Sequence, residues 1–248
     1  MRLIIRILIA TGVILVAFTS SVSLDLECEG CEGVTVVSWN VQNLGPTKLA
    51  DGRAHRIAHL LSDYDIIAVQ EITDASGQAG AFLCTFFENH TCVVSARTGQ
   101  GSRKEQYLIA SRFPLENDTL IEHDALERGV YFADIDVGYR SLTIGTAHLK
   151  PDRVPEELGA LELILPASVI LTGDLNADCR YLPEGTSAYL SGLHWIIPDR
   201  EDTTPARSQC AYDRFVVSRD MLELVIGYDV VRINETLSDH HPIVLTVG

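Results

Sequence analysis

Apolar and polar residues along this chain follow the two-residue period of strands in some segments and the longer period of helices in others. The segment VTVVSWN (34–40) alternates and is rich in β-branched residues, which predicts a strand. Segment 49–64 has Leu49, Ile57, Leu60 and Leu61 near helical spacing. The same patterns predict helices at 78–88 and 154–165, and strands at 65–71, 92–95, 106–111, 130–137, 141–147, 168–174, 212–218 and 241–247. Helices mixed among many strands, without a flexible linker, predict one layered α/β domain.

The N-terminal residues differ from the rest of the chain. Arg2 and Arg6 precede the apolar run ILIATGVILVAF and small residues that end in SVS, which is the order of a secretory signal peptide. A membrane anchor is the competing interpretation, but a spanning helix needs ~20 apolar residues and this run is shorter. We therefore expect a secreted, extracellular protein with a signal peptide (1–23), a short N-terminal segment (24–33) and one domain (34–248).

The expected export of the protein affects the interpretation of its six cysteines. In an oxidising compartment an even number of cysteines predicts disulfides, although many pairings are possible. Cys28 and Cys31 form a CxxC without the second pair that a zinc site needs, so a small local bridge or a flexible tail accounts for them. Cys84 and Cys92 are close enough in sequence to link the end of a helix to the next strand.

The net charge limits how the chain can bind a polyanion. The formal charge is −15, and it becomes −17 when Arg2 and Arg6 leave with the signal peptide. Such a protein is not expected to bind nucleic acid through a broad basic surface. If the substrate is a polyanion, metal ions and a few placed cations must supply the attraction. The charge therefore favours a catalyst with transient binding over a tight binder.

Groups that can bind a metal ion or move a proton stand at the ends of several predicted strands. LTGDLNADC (171–179) continues an apolar run and then presents Asp174, Asn176 and Asp178. Turn chemistry alone can explain such residues, and a lone histidine is more often structural than catalytic. In layered α/β folds, however, ligand sites gather at strand ends, and here such groups recur at nearly every one. The full set is Asn40, Glu71, His148, Asp174, Asn176, Asp213, Asp239 and His240.

Several short motifs occur in an order that resembles the endonuclease/exonuclease/phosphatase superfamily. They are SWNVQN, VQEI, SRKEQY, TAHL, GDLNADC, CAYDRFVV and SDHHPIVLTV. The resemblance runs from Val34 to Val247, and GDLNADC, IPDREDTT and CAYDR are most similar to its secreted deoxyribonuclease I branch. It implies an α/β four-layer sandwich, in which two packed mixed β-sheets are flanked by helices (a deoxyribonuclease I-like fold).

The resemblance implies two histidine–acid pairs. His148 would be oriented by Glu105 of KEQY, and His240 by Asp213 of AYDR. A carboxylate fixes the tautomer of an imidazole and stabilises its protonated form, while histidine titrates near the operating pH. One histidine would activate water and the other would protonate the leaving 3′ oxygen, and the sequence leaves both assignments open. Because His241 stands where the family has an aromatic residue, only His240 is predicted to be catalytic.

The resemblance also implies a metal site and a weaker calcium site. The hard oxygen donors of the metal site would be Glu71, Asp174 and Asp239, with Asn40 nearby, and such donors suit Mg²⁺ or Mn²⁺. Of two structural calcium loops in the family, one has no counterpart here. The other keeps Asp202, Thr204 and Ser208, but Ala206 has lost its side-chain ligand. We therefore expect weak Ca²⁺ binding.

Two residues are expected to hold the substrate phosphate. Asn176 can donate to it through its NH₂, which leaves Asp178 as a turn residue. Arg128 of LERGV matches a phosphate-contacting arginine of the family, and a guanidinium fits phosphate well. The alternative for Arg128 is a surface salt bridge with Glu127 or Asp124.

Other positions either keep or change the family pattern. The family joins the positions of Cys179 and Cys210, and a disulfide there would fix two active-site loops against each other. Gln42, Thr73 and Arg103 replace residues that contact DNA in the family. The chemistry is therefore expected to be intact on an altered substrate surface.

The expected function is that of a secreted, metal-dependent endonuclease that cuts DNA with little sequence specificity. DNA would be a transient substrate of a monomer that has no stable protein partner and no membrane attachment. One alternative is a phosphodiesterase or phosphatase of the same superfamily that acts on lipid headgroups or small phosphate esters. A more distant alternative is a non-catalytic binding protein on the same fold, which should have lost a histidine or a metal acid; neither is missing here.

Overall fold

A computed structural model describes residues 33–101, 103–205 and 209–248. The predicted signal peptide, Cys28 and Cys31 lie outside these residues. The helices described are α1 (Pro46–Ala50), α2 (Arg53–Leu61), α3 (Gln78–Phe86), α4 (Val154–Ile164) and α5 (Arg219–Leu222). The strands described are β1 (Val34–Leu44), β2 (Ile66–Ile72), β3 (Thr91–Val94), β4 (Gln106–Ser111), β5 (Leu115–Ile121), β6 (Val130–Asp136), β7 (Ser141–His148), β8 (Ile170–Asp174), β9 (Leu193–Trp195), β10 (Asp213–Ser218), β11 (Val225–Val230) and β12 (Ile243–Val247). Among the described residues, no helix combines the length and apolar character that crossing a membrane requires.

Within the described residues, the strands form two six-stranded mixed sheets. One has the order β11-β12-β1-β2-β4-β3 and the other has the order β5-β6-β7-β8-β10-β9. The central pairs β1–β2 and β7–β8 are parallel. Parallel neighbours need a crossover connection, which α1 and α2 provide between β1 and β2 and α4 provides between β7 and β8. These four strands carry four of the predicted site residues at or toward their carboxyl ends: Asn40, Glu71, His148 and Asp174.

The core lies in three layers because successive side chains of a strand point to opposite faces. Val36 packs between the two sheets, whereas Val37 packs on the outer face with residues of α2 and α3. In the second sheet, Phe215 lies between the sheets and Val216 packs on the outer face with residues of α4. The predicted α/β sandwich of two mixed sheets flanked by helices is therefore confirmed.

Some elements differ from the sequence predictions. The helix predicted over 49–64 is divided into α1 and α2, because Asp51 and Gly52 break it and Gly52 has a φ of 79°. Leu60, which was expected on the apolar face of this helix, is 39% exposed. Strands β5, β9 and β11 were not predicted. β5 is an edge strand with the polar sequence LENDTLI, so its alternation carries no hydrophobic signal.

Candidate active site

The predicted site residues meet at one edge of the sandwich. Three of them form a row across the second sheet, where His148 is the register partner of Asp174 and Asp174 is the register partner of Asp213. Asn40 and Glu71 come from β1 and β2 of the first sheet, and His240 comes from the loop before β12. The two sheets thus bring together strand ends that are far apart in sequence.

Asp174 is the centre of this group. Its Oδ2 lies 3.5 Å from Nε2 of His148 and 3.4 Å from Nε2 of His240. Nδ2 of Asn40 donates hydrogen bonds of 3.0 Å to the same Asp174 oxygen and to Oε1 of Glu71. Both imidazoles therefore point the same ring nitrogen at one carboxylate.

His148 is held by Glu105, the residue directly before β4. Its Nδ1 lies 3.0 and 3.1 Å from the two carboxylate oxygens of Glu105, and its backbone N–H donates to the hydroxyl of Tyr107. Burial would lower the pKa of His148, but the charge and hydrogen bond of Glu105, followed by the charge of Asp174, outweigh it and raise this pKa to about 9. Without bound cations, the ring favours its protonated form at neutral pH.

His240 is held in the same way by Asp213, whose Oδ2 lies 2.8 Å from Nδ1 of the ring. Burial again opposes the charged ring, yet Asp213 and Asp174 raise the pKa of His240 well above its usual range. Burial raises the pKa of the Asp213 carboxyl, which His240 opposes. The hydroxyl of Thr203 accepts the backbone N–H of Asp213 and so fixes the start of β10.

His241 has a different environment from His240. Its Nδ1 accepts the backbone N–H of Ile233, and its own backbone N–H donates to the carbonyl of Thr203. Burial lowers the pKa of His241. The ring of His241 therefore links the segment after β11 to the segment before β12.

Backbone strain is concentrated at this edge. Glu71 has a φ of 62°, Asn176 of 49°, Gln42 of 48° and Asn43 of 54°. Non-glycine residues adopt this left-handed region at a cost of about 1–3 kcal/mol each, and such residues cluster at functional sites. The backbone N–H of Asn43 donates to Oε2 of Glu71 at 2.8 Å, which helps to hold the strained segment in place.

The glycine that precedes Asp174 is required by close packing of two strands. Gly173 has a φ of 133° and is the register partner of Ala147. A Cβ on Gly173 would lie 2.0 Å from the backbone oxygen of Ala147, which no side chain can tolerate. This contact lets β8 lie beside β7 so that Asp174 reaches His148.

The residues predicted to hold phosphate lie beside His148. Asn176 Nδ2 donates to the backbone oxygen of Leu149 at 3.0 Å. Arg128 is largely buried, with its side chain 14% exposed, and its Nε lies 3.0 Å from Oε2 of Glu105. The N–H is not aimed at this oxygen, so the contact is an ion pair without a hydrogen bond.

The alternative partners considered for Arg128 were wrong. Glu127 pairs instead with Lys150 at 3.5 Å, and Arg128 pairs with the carboxylate that orients His148. A cavity of about 560 Å³ opens next to this pair and is lined by Gly101, Arg103, Glu127, Arg128, Lys150, Pro151, Asp152 and Tyr181. Three of the lining side chains, Arg103, Arg128 and Lys150, are cationic, in a chain with a net charge of −15.

The loop after β8 is tied to the start of β10. A disulfide joins Cys179 to Cys210, and the carboxylate of Asp178 accepts the backbone N–H groups of Cys179 and Ala211. Asp178 therefore is the turn residue that the sequence indicated. Buried Arg214 adds a further link, because its guanidinium donates to the backbone oxygen of Ala177.

A second disulfide in the described residues joins Cys84 to Cys92. It links the C-terminal part of α3 to β3, as the spacing of the two cysteines suggested. Neither element carries one of the site residues.

The donor set at this edge fits a hard divalent cation. Within the described residues, Asp174, Asp213 and His240 each offer a ligand atom, and these atoms lie within 4.8 Å of one another. Glu71 adds an oxygen on the other side of Asn40. Carboxylate oxygens in such a cluster are the donors that Mg²⁺ and Mn²⁺ prefer.

Two other predicted metal ligands, Asp239 and Asn40, lie less favourably for binding an ion. Asp239 is the outermost of them, with its side chain 56% exposed and its Oδ1 3.9 Å from Nε2 of His240. Oδ1 of Asn40 accepts the backbone N–H of Gln42, so its NH₂ and not its oxygen faces the carboxylates. The motifs gave Asp213 and His240 only an acid–base role and did not indicate that each also offers a ligand atom close to one of Asp174.

Part of the predicted calcium loop lies in the described residues. Oδ1 of Asp202 accepts the backbone N–H groups of Thr204 and Cys210, and the hydroxyl of Thr204 is 3.2 Å from the same oxygen. Ala206 and Ser208 lie outside the described residues. The loop satisfies the Asp202 carboxylate with its own donors, and weak Ca²⁺ binding stays a prediction.

A family model described as the Endonuclease/Exonuclease/phosphatase family matches residues 37–240. The chain is similar to Deoxyribonuclease-1 of Rattus norvegicus, with 27% identity in an alignment of 263 positions that covers 86% of this chain and 90% of that protein. Deoxyribonuclease-1 of Homo sapiens is also 27% identical in an alignment of 263 positions, which covers 87% of this chain and 92% of that protein.

Solved structures share the fold at lower sequence identity. An endonuclease/exonuclease/phosphatase family protein from Leptotrichia buccalis superposes with a TM-score of 0.67 at 17% identity, covering 87% of this chain and 100% of the other. TDP2 of D. rerio, complexed with a single-strand DNA product, superposes with a TM-score of 0.65 at 19% identity, covering 88% of this chain and 100% of the other. These similarities establish the fold of the two-sheet sandwich.

Proposed function

The chain belongs to the endonuclease/exonuclease/phosphatase family, and we propose that it is a secreted, metal-dependent endonuclease that hydrolyses DNA phosphodiester bonds with little sequence specificity. The observation that supports this most is the convergence of two carboxylate-held histidines on Asp174, at 3.5 Å from His148 and 3.4 Å from His240. The similarity to Deoxyribonuclease-1 over most of both chains favours DNA as the substrate.

Each histidine has the setting of a general acid–base catalyst. Glu105 and Asp213 take the Nδ1 side of the two rings, so Nε2 of each ring faces the space around Asp174. One ring accepts a proton from water as the water oxygen bonds to phosphorus, and the other donates its proton to the 3′ oxygen as the P–O3′ bond breaks. The products of this reaction are a 3′-hydroxyl and a 5′-phosphate.

A cation at the site would bring the pKa values of His148 and His240 closer to neutral pH. Asp174 raises the pKa of both His148 and His240. Neutralising its charge removes part of the stabilisation of both imidazolium ions, which lowers both pKa values toward neutrality. A divalent ion held by Glu71, Asp174 and Asp239 would supply this neutralisation and would stabilise negative charge on the phosphate.

Arg128 and Asn176 are proposed to hold the phosphate. Both lie next to His148, since Arg128 is an ion-pair partner of Glu105 and Asn176 donates to Leu149. A guanidinium presents donors in a plane that matches phosphate oxygens. Because the net charge is −15, these placed groups and the ion must supply the attraction for DNA.

Secretion is supported by the two disulfides of the described residues, since disulfides persist mainly in oxidising compartments. The motifs GDLNADC and CAYDR, which carry Asp174 and Asp213, keep the two buried acids that contact His240. A binding protein without catalytic activity would have no need to retain them.

The experiment that tests the proposal is a substrate panel in Mg²⁺ with the full chain. It compares nicking of supercoiled plasmid DNA with hydrolysis of sphingomyelin and of a sugar phosphate monoester. We expect nicked plasmid at a rate well above the other two reactions, with similar rates on plasmids of different sequence. Hydrolysis of the lipid or the monoester without plasmid nicking would overturn the proposal in favour of another phosphoesterase.

A further inference from the structure

Lys48 on α1 has an environment that the motifs did not indicate. Its side chain is buried, with 4% of the residue exposed. Lysine is almost never fully buried unless its ammonium is paired, because a charge loses its hydration on burial. The ammonium of Lys48 must therefore be held by hydrogen-bond partners inside the protein.

The ammonium of Lys48 joins two segments of the candidate site. Its Nζ donates a hydrogen bond of 2.7 Å to the backbone oxygen of Val41 and another of 2.7 Å to the backbone oxygen of Leu237. Val41 directly follows Asn40 on β1, and Leu237 lies three residues before His240. Hydrogen bonds from a charged donor are roughly twice as strong as neutral ones.

Two neutral contacts link the same segments. The indole N–H of Trp39 donates to the backbone oxygen of His240 at 2.8 Å, and the hydroxyl of Ser238 donates to the backbone oxygen of Asn40 at 2.7 Å. Lys48 adds a charged tie between the residue after Asn40 and the residue before Ser238. Together these contacts fix the loop that carries His240 against the end of β1.

The charges around Lys48 agree with this geometry. Burial lowers the pKa of Lys48 to about 8, Arg53 adds to this effect, and Asp239, Glu71 and Asp51 oppose it. The ammonium thus has acids of the candidate site within electrostatic range while it donates to backbone oxygens. Its position indicates a part in arranging the site and none in contacting DNA.

We propose that Lys48 is a positioning residue for the hydrolysis, which fixes the loop from Leu237 to His240 on the end of β1 and thereby aims Nε2 of His240 at Asp174. The inference rests on the proposed function for its kinetic consequence. Misplacing a catalytic group by about 1 Å can reduce a rate ~100-fold even when the changed residue lies away from the reacting atoms.

The first test compares Lys48→Met with the exposed control Arg56→Met on α2. Methionine keeps an unbranched apolar stem and removes the charged donors. We expect kcat for plasmid nicking to fall ~10- to 100-fold with KM for DNA within about three-fold of wild type, because Lys48 is not expected to touch the substrate. Arg56→Met should leave both constants unchanged. A rise in KM with unchanged kcat would overturn the positioning role in favour of DNA contact.

A second variant covers the case in which Lys48→Met does not fold. Lys48→Gln retains an NH₂ donor without the charge, so we expect it to lose less of kcat than Lys48→Met. Kinetics are measured well below the melting temperature of each variant. A variant that melts earlier but keeps the wild-type kcat would show that Lys48 serves stability alone.

An NMR measurement separates failure of this inference from failure of the proposed function. In Lys48→Met, the Nδ1–H signal of His240 should shift or broaden, while that of His148 on the other sheet should be unchanged. This readout needs no cleavage activity. If the wild-type chain does not cut DNA, the function is wrong and the spectrum still reports the position of His240. Unchanged spectra for both rings would overturn the inference about Lys48.

Discussion

Asp174 and Asp213 are register partners on adjacent antiparallel strands, and their carboxylates contact opposite nitrogens of the same imidazole. The ring of His240 thus lies between two buried acids. Burying carboxylates is unfavourable unless a positive charge is near. A proton on His240 supplies that charge when no cation is bound, which explains why its pKa is well above the usual range.

This arrangement predicts how the stability of the metal-free protein depends on pH. The folded-state pKa of His148 is about 9 against 6.5 for the free side chain, so the folded protein keeps a proton that the unfolded chain releases. The stabilisation is complete below pH 6.5 and is lost as the pH rises toward 9. Between pH 6.5 and 8 we expect the free energy of unfolding to fall by about 1.6 kcal/mol from His148, with His240 acting in the same direction.

Urea unfolding in EDTA at several pH values measures this dependence. The range stops at pH 8 because the lowered pKa of Lys48 makes stability rise with pH above that value. His148→Asn should show a shallower decline than wild type. A stability that is constant or increases from pH 6.5 to 8 would contradict the assigned protonation.

The second prediction concerns the glycine before Asp174. Gly173→Ala places a Cβ 2.0 Å from the backbone oxygen of Ala147, so β7 and β8 must separate. We expect a loss of about 3 kcal/mol or more in the free energy of unfolding. The matched control is Gly159→Ala on the exposed side of α4, where a Cβ meets no atom within 4 Å and should stabilise the helix by about 0.5–1 kcal/mol. Equal melting temperatures for the two variants would contradict the packing.

The third prediction compares the two disulfides. The Cys179–Cys210 bridge spans 31 residues and the Cys84–Cys92 bridge spans 8. Loop-closure entropy gives about 3.7 and about 2.5 kcal/mol for these lengths. Replacing both cysteines of a bridge by alanine should therefore cost more for the first, and only the first should also slow cleavage, since it ties the Asp174 loop to the start of β10. Denaturant unfolding and nicking rates of both double variants test this difference.

The fourth prediction concerns metal ions. EDTA should abolish cleavage, and Mg²⁺ or Mn²⁺ should restore it, because the acids around Asp174 need a cation to approach a phosphate. Ca²⁺ at millimolar concentration should shift the melting temperature only slightly, since a weak site adds little by mass action. Thermal melts of the metal-stripped protein with and without Ca²⁺ measure this. A large rise with micromolar Ca²⁺ would show a tight site.

The sequence predicted the parts of the fold where local pattern and burial agree. β1, β2 and β8 were found because apolar runs end on Asn40, Glu71 and Asp174, and these ends meet in the structure. β5 could not be found, because its residues 116–119 are polar and exposed in succession, so the strand shows no apolar–polar alternation.

Contacts between residues that are far apart in sequence could not be predicted either. The partner of Arg128 is Glu105, which nearby charges in sequence did not indicate. The burial of Lys48 depends on Leu237, 189 residues away, and no local pattern marks such a lysine. Both contacts arise only when the two sheets and their loops are assembled.

The central claim is that His148 and His240 catalyse phosphodiester hydrolysis together at Asp174. The most direct measurement is the initial rate of plasmid nicking in Mg²⁺ for His148→Asn and His240→Asn, beside the control His241→Asn, whose ring binds the backbone of Ile233. Asparagine retains a donor for Glu105 or Asp213, so circular dichroism and melting should confirm folded variants. We predict a loss of at least ~100-fold for each of the first two and a change of less than about three-fold for His241→Asn. Folded His148→Asn or His240→Asn protein that nicks DNA at close to the wild-type rate would contradict the account.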